Sequence, residues 1–426
     1  MAQFTAEVFQ NEFLPDGGTD VHAIVRVTCR GAGQAGQGSS TDAAEIIIVD
    51  TSGSMGETGI AQGRNAATAA INEITDGTWF AVIAGNHVGT LVFPYAGGGQ
   101  QMVRMDPSSR QAAIQSIARF RADGGTAMGT WLTKAAEVFR SVPQASQRHA
   151  ILLTDGANEH ETPEQLTRAI HDATGQFQCD CRGLGDRWQV EEVRRIASAL
   201  LGTVDLIPAP HEMAAEFQSL IRKSMARGVA NIDVRVWTPQ GAQTLFVKQV
   251  APTLEDLTSR RTQVNPLTAG YPTGAWADES RDYHVAIRLP AKSVGQEQLA
   301  GRVQVVLGQD IQTQALVKAT WSNDESLTTR IDDQVARYTG RAELAQVIQD
   351  GLAAKAAGRD DDATSKLGRA VQLATAAGDQ EMTSRLRKVV EIDNAEAGTV
   401  RLKKGVEKLD EMALDTASTK TTRVKK

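Results

Sequence analysis

Ala44-Glu45-Ile46-Ile47-Ile48-Val49-Asp50-Thr51-Ser52-Gly53-Ser54 is the stretch on which the reading of the fold turns. A β-branched run of this length, bounded by a Gly-containing hydroxyl cluster, reads as a strand buried on both faces, the kind found in parallel sheets. Working downstream, strand-length apolar runs alternate with helical periodicity as far as residue 227. Helices are expected near 60–75, 107–121, 128–140, 163–174, 189–200 and 210–226, and strands at 79–84, 88–94, 149–154, 177–182 and 203–207. Asp106 before Pro107 and Thr162 before Pro163 are N-cap residues, each followed by the helical position that tolerates a missing N–H. Such alternation predicts a doubly wound, mostly parallel α/β domain over residues 43–227.

The flanks obey other periods. Upstream, Val21, Ala23, Val25, Val27 and Cys29 alternate with His22, Arg26, Thr28 and Arg30, the signature of a half-buried strand, and the segment around Phe4, Ala6 and Val8 supplies a pairing partner. A linker rich in Gly, Gln and Ser follows from Gly31 to Ser40. Beyond Gly228 the period returns to two, in Ile232/Val234/Val236, Tyr283/Val285/Ile287/Leu289 and Val303/Val305/Leu307, with Pro and Gly between the runs. This predicts an antiparallel β-sandwich over 228–322, which the strands of residues 1–42 are expected to complete. Residues 323–400 contain no proline, and Leu344/Val347/Ile348/Leu352 and Leu367/Ala370/Val371/Ala374 recur at helical spacing. A helical hairpin region of two or three helices, broken near Gly358 and Gly378, is expected there. Residues 401–426 carry a net charge of about +4, against about −10 for the first 400. They read as a basic, Thr-rich solvated tail, with Thr416, Thr419, Thr421 and Thr422 as candidate phosphorylation sites.

Composition excludes several function classes. The 426 residues carry a formal net charge of −6, which leaves no electrostatic footprint for nucleic acid. No apolar run is long enough to span a bilayer, and Met1 to Glu7 lacks the basic start and apolar stretch of a signal peptide. With only three cysteines, the expectation is a cytoplasmic protein without a disulfide framework. Gly31-Ala32-Gly33-Gln34-Ala35-Gly36 spells a dinucleotide fingerprint, but no helix opens after it to receive a pyrophosphate. His211-Glu212-Met213-Ala214-Ala215 lacks the second histidine of a zinc-protease helix. Cys179 and Cys181 share one strand face and read as buried, inert thiols. Asp50 as a phosphoryl-accepting nucleophile would need a second acid two residues on, where Ser52 stands. The phosphate-cradling sequence Gly-x-x-x-x-Gly-Lys-Ser/Thr is absent, and no enzymatic activity is expected.

The chemistry that remains lies at the strand ends. Asp50-x-Ser52-x-Ser54 offers one carboxylate and two hydroxyls at the carboxyl end of the first buried strand, the edge at which open α/β sheets bind ligands. Gly124-Gly125-Thr126 adds a hydroxyl before a helix, and Thr154-Asp155-Gly156 ends another buried strand with a carboxylate. Gathered at one edge, Asp50, Ser52, Ser54, Thr126 and Asp155 form a set of hard oxygen donors. Such a set suits Mg²⁺, or Mn²⁺, rather than zinc. A cation held mostly by hydroxyls and water still accepts a carboxylate from outside, so the expected ligand is an Asp or Glu side chain of a protein partner.

These motifs resemble those of the von Willebrand factor A family and its metal-ion-dependent adhesion site, over about residues 43–227 and without a departure. The resemblance implies direct metal coordination by Ser52, Ser54 and, in the ligand-competent form, Thr126, with Asp50 and Asp155 acting mainly through waters and hydrogen bonds. The flanking regions resemble those of actinobacterial cytoplasmic relatives, which imply architecture but no activity. The expected function is therefore a non-enzymatic, cation-dependent interaction module serving as an intracellular signalling or assembly scaffold. A Ser/Thr kinase or a phosphopeptide reader is a candidate partner through the tail. The alternative is a regulatory or adaptor subunit docking on an AAA+ ATPase or a metal-chelatase-like complex.

Overall fold

The computed structural model describes residues 2–33, 42–95 and 101–421. The chain folds into two compact units, one of Ala32–Ala230 with Gly274–Ala277, the other of Met1–Gly31, Asn231–Thr273 and Asp278–Lys426.

In the first unit a sheet runs in the order Val204–Ile207, Gln178–Leu184, Ala145–Thr154, Asp42–Asp50, Trp79–Gly85 and Gly89–Phe93, with Val103–Arg104 also on Trp79–Gly85. The first five strands pair in parallel and the last two antiparallel to Trp79–Gly85. Asp42–Asp50 lies at the centre, and Ile46 to Val49 have no exposed surface because helices cover both faces. On one face Ile47 and Val49 pack with Ile60, Ala67 and Ile71 of helix Gly56–Glu73 and with Phe217 and Ile221 of helix Met213–Met225. On the other, helix Met128–Arg140 lies over the Asp42–Asp50, Trp79–Gly85 and Gly89–Phe93 strands. Helix Pro107–Ile117 starts with a capping box in which Asp106 accepts from the Ser109 N–H at 2.7 Å, and Thr162 does the same for helix Pro163–Ala173 through Gln165. The chain leaves the central strand toward Trp79–Gly85 on one side and returns on the other as Ala145–Thr154. The loops at their carboxyl ends therefore part and leave a crevice, the usual ligand position of a doubly wound sheet.

Toward the opposite end of the same strands lies a buried ionic cluster. His149 sits between two carboxylates, its Nδ1 2.5 Å from Glu45 Oε1 and its Nε2 2.9 Å from Asp180 Oδ2. Ser224 donates to Glu45 at 2.8 Å, tying helix Met213–Met225 to the sheet, and Thr203 donates to Asp180 at 2.6 Å. Burial by itself would lower the imidazole pKa, but the two carboxylates outweigh it and lift it from 6.5 to about 9. Burial likewise opposes ionisation of Asp180, yet the His149 bond and Arg227 hold its carboxyl well below the usual range. The ring is therefore an imidazolium at neutral pH, donating from both nitrogens.

The second unit is a two-sheet assembly. One sheet runs Gln3–Gln10, Asp20–Arg30, Ser280–Arg288, Gln243–Ala251, Glu255–Asp256; the other runs Thr262–Asn265, Thr268–Trp276, Val229–Trp237, Glu297–Leu307, Asp310–Trp321, Phe13–Leu14. The N-terminal strands thus enter both sheets. The outer face of Asp20–Arg30, polar by its alternation, is interrupted by Ile24, which is fully buried with Val335 and Tyr338 of helix Asp333–Ala356. Tyr338 anchors that helix by donating its hydroxyl to buried Asp282 at 2.6 Å, and Arg26 pairs with the same carboxylate at 3.0 Å.

Two expectations for the C-terminal region are corrected. Residues 323–400 are not helical throughout: after helices Asp333–Ala356, Asp360–Ala376 and Gln380–Val389 comes a hairpin, Val390–Asn394 with Thr399–Leu402. Gly358 and Gly378 break the helices at φ of 69° and 66°. Nor are residues 401–421 a solvated tail. Helix Lys408–Ser418 buries Met412 and Leu414, the latter in a core with Leu367, Val371 and Leu386, and the chain then bonds back to Pro252 and Leu254. Thr416 and Thr421 are buried, and the Thr416 hydroxyl donates to the Met412 carbonyl at 2.9 Å, so neither presents a phosphate acceptor in the folded chain. Thr419 is half-buried, and Thr422 lies outside the described residues. The charge count misleads here because Lys408 is the one base within the helix, which buries Met412, Leu414, Thr416 and Ser418. Among the described residues no helix is long and apolar enough to cross a membrane.

The buried cluster yields a test. His149→Leu strands Glu45 without its cation, and the unfolding free energy should fall by about 3–5 kcal/mol. Because the folded imidazole titrates near 9 and the free one at 6.5, its contribution is whole below about pH 6.5 and disappears as the pH climbs through about 9. Urea titrations from pH 6 to 10 should show wild type converging on the variant at the alkaline end; parallel curves would refute the assignment.

Candidate functional site

The crevice at the carboxyl edge is built around Asp50, the last residue of the central strand and fully buried. Its Oδ1 accepts the Ser52 N–H at 2.8 Å, which folds the Thr51-Ser52-Gly53 turn back on the strand end. Its Oδ2 accepts the Thr154 hydroxyl at 2.8 Å and the Asp155 N–H at 3.3 Å, which fastens the end of the neighbouring strand. The other hydroxyls form a chain: Ser52 Oγ lies 2.9 Å from Ser54 Oγ, and Ser54 donates to Asp155 Oδ1 at 2.5 Å, a short charge-assisted bond.

Thr126 arrives from a third segment. Gly53 N–H donates to the Gly124 carbonyl and Asp123 N–H to the Thr51 carbonyl, each at 2.9 Å, so the loop before Thr126 is stitched to the Asp50 turn. Gly156 completes the wall: a Cβ built on it would stand 3.1 Å from Thr126 Oγ1 and 3.3 Å from Ser54 Oγ. The structure therefore brings together all five residues singled out in the sequence, Asp50, Ser52, Ser54, Thr126 and Asp155. Ser52, Thr126 and Asp155 are buried, whereas Ser54 opens to solvent.

The electrostatics of the crevice are lopsided. Burial pushes the Asp50 pKa up to about 6, with hydrogen bonds from Ser52 and Thr154 opposing and the charge of Asp155 adding to the rise. Burial also raises Asp155, against its bond from Ser54 and the more distant positive charge of Arg187. Among the described residues no Lys, Arg or His forms an ion pair with either carboxylate. Two desolvated acids, three hydroxyls and a glycine that keeps the space between them open make a donor set that fits a hard divalent cation. Among the described residues no group of three or more His, Cys, Asp or Glu is placed to hold a metal, so a set of this kind must draw on its hydroxyls.

The other motifs fall outside the crevice. Cys179 and Cys181 are buried with sulfurs 3.8 Å apart, and contact with Cys181 and burial hold the Cys179 thiol well up. His211 lies in a short 3₁₀ turn, Pro210–Glu212. Gln34 to Gly36 of the glycine-rich segment lie outside the described residues. Sequence reasoning missed the residues around Thr126, namely His87, Asn158, His160 and Glu161. The available signal was the cluster Gly124, Gly125 and Gly129, whose missing side chains make room for His87, His160 and Glu161.

A doubly wound sheet with an oxygen-lined crevice at its switch point defines the class of the first unit. Residues 44–206 match the family model described as von Willebrand factor type A domain, and residues 372–418 match the von Willebrand factor type A C-terminal domain. A solved von Willebrand factor type A structure from Catenulispora acidiphila is 45% identical, over 99% of this chain and 97% of that one, with a TM-score of 0.93. The chain belongs to the von Willebrand factor type A family. The ArnB paralog VWA2 from Sulfolobus acidocaldarius shares the fold over 98% of both chains, at 13% identity and a TM-score of 0.57. An uncharacterized protein of Synechocystis is 27% identical over 216 residues, and the chain spans about half of that relative's length, 49%. The match at 372–418 covers the folded C-terminal helix in place of the expected tail.

The fastening of the two strand ends is open to measurement. Thr154→Val removes a donor to the buried Asp50 carboxylate without changing side-chain shape, and should cost about 1.5–3 kcal/mol of stability. In a double-mutant cycle with Asp50→Ala the two changes should be strongly non-additive; additive losses would show that the 2.8 Å bond contributes nothing of its own.

Proposed function

We propose that the crevice binds a divalent cation, Mg²⁺ or Mn²⁺, and through it an Asp or Glu side chain of a protein partner, so that the chain acts as an interaction module and not as an enzyme. The observation that carries this reading is the convergence of three hydroxyls and two unpaired, desolvated carboxylates on the space kept open by Gly156. Ser52, Ser54 and Thr126 would hold the ion, with Asp50 and Asp155 contributing through hydrogen bonds and water. When bound, a hard cation supplies an electrophilic position that accepts a carboxylate oxygen.

The chain's own residues prepare that position. Asp155 accepts the hydrogen bond of the Ser54 hydroxyl, which turns the Ser54 oxygen toward a cation as an acceptor. Asp50 spends both oxygens on the turn and on the neighbouring strand, and so holds Ser52 where its hydroxyl meets Ser54. Solvent exposure of Ser54 supplies the approach for a partner side chain. Family membership supports a protein partner, since von Willebrand factor type A domains serve mainly in protein–protein interaction.

Titration with Mn²⁺, followed by electron paramagnetic resonance, tests the first half. Ser52→Ala and Ser54→Ala should each weaken binding by at least about tenfold, the scale on which metal sites respond to lost supporting groups. Affinity capture from native lysate tests the second half: a partner retained in Mg²⁺ and lost both in EDTA and with Ser52→Ala is the expected result. Partners that survive both treatments would overturn the cation-dependent reading and move the binding surface elsewhere on the chain.

A further inference from the structure

We propose that Asn158, His160 and Glu161 form a clamp that fixes the backbone of Thr126 beside Gly156, so that the segment carrying the third hydroxyl of the crevice is held by hydrogen bonds within the chain and the site is preformed. The functional consequence rests on the cation-site reading above; the clamp itself does not.

Helix Met128–Arg140 has Ala127 at its N-cap position, with no side-chain acceptor for the first-turn N–H groups, which must be satisfied from elsewhere. One short stretch just beyond Asp155-Gly156 supplies the acceptors. Asn158 Oδ1 accepts the Met128 N–H at 2.7 Å, and Glu161 Oε1 accepts the Gly129 N–H at 2.6 Å, where its negative charge also suits the helix dipole. Between them His160 Nδ1 accepts the Thr126 N–H at 3.3 Å, and the His160 N–H returns a bond to the Thr126 carbonyl at 3.0 Å. Thr126 is thus bonded through both its backbone groups to one residue of the opposite loop. That loop is braced in turn, because the Asn158 N–H donates to Glu192 at 3.3 Å.

The glycines around Thr126 carry the same message. A Cβ on Gly125 would fall 2.0 Å from the His160 ring, and one on Gly129 would fall 2.4 Å from Glu161 Oε2. On the other side a Cβ on Gly124 would fall 2.3 Å from His87 Nδ1. The His160 and Glu161 side chains and the flanking His87 imidazole press directly on backbone, which only glycine permits. Gly124 also takes a φ of 70°, the left-handed region that disfavours any other residue. Thr126 and Asp155 therefore sit on segments locked to each other. A shift of the Thr126 backbone away from Gly156 has to break the His160 pair of bonds, and it carries the helix start with it. The clamp residues are positioning residues, acting on a cation only through Thr126.

Amide hydrogen exchange of the full chain in EDTA, read by nuclear magnetic resonance, tests the clamp without any cation. In His160→Ala the Thr126 amide should exchange at least about fivefold faster, the worth of one net hydrogen bond, while Ile46 to Val49 keep their protection. His160→Asn puts an amide oxygen near the position of the ring Nδ1 and should restore slow exchange. In the same proteins Mn²⁺ affinity should drop by about tenfold with His160→Ala and recover with His160→Asn. Unchanged Thr126 exchange in His160→Ala, or a His160→Asn variant no better than His160→Ala, would overturn the clamp. Failure of the wild-type chain to bind Mn²⁺ would instead sink the cation reading, with the exchange data still deciding the clamp.

Discussion

The burial of Asp50 is the constraint on which the rest of the first unit depends. A carboxylate at the end of a fully buried strand is costly unless its oxygens are occupied, and here the occupants are the turn that follows it and the neighbouring strand end. Satisfying Asp50 therefore dictates where Ser52 stands and how Thr154 and Asp155 are presented. The donors of the crevice fall into place because of one residue's solvation problem, and the pKa of about 6 shows that the problem is only partly solved.

Comparison with the other end of the same strands is instructive. There, too, two buried carboxylates approach one another, Glu45 and Asp180, but an internal imidazolium lies between them. That arrangement is complete: opposite charges meet, and the remaining lone pairs are taken by Ser224 and Thr203. At the carboxyl edge the corresponding pair, Asp50 and Asp155, has hydroxyls and N–H groups around it but no internal cation paired with either. The proposal of a divalent cation follows from that asymmetry. One end of the sheet is a closed structural device; under the proposed function the other is completed by a cation from outside, with exposed Ser54 as its entrance.

The clamp adds a mechanical consequence. A site whose third hydroxyl rode on an independent loop would have to order it on binding and would lose affinity to that ordering. Holding Thr126 through His160, and the adjoining helix through Asn158 and Glu161, spreads the ordering over folding instead. The glycines at 124, 125 and 129 are the mark of this arrangement, since each gives up its side chain to let a neighbour touch backbone.

Much of this was legible in the order of residues. The β-branched run before Asp50, the capping pairs at Asp106 and Thr162, and the alternation from residue 43 onward determined a doubly wound domain, because burial on two faces and capping are local demands. The motif residues Asp50, Ser52, Ser54, Thr126 and Asp155 could be named for the same reason, their chemistry and their places at strand ends being local properties. Other features were decided only by tertiary structure. Ile24 can stand on the otherwise polar face of its strand because helix Asp333–Ala356 covers it, and Thr416, expected in a solvated tail, is buried because its helix docks on helices Asp333–Ala356 and Gln380–Val389. The His149 cation and the Asn158–His160–Glu161 clamp join residues far apart in the chain. Their meaning lies in distances of 2.5 to 3.3 Å that only packing creates, and no pattern of spacing along one segment carries that information.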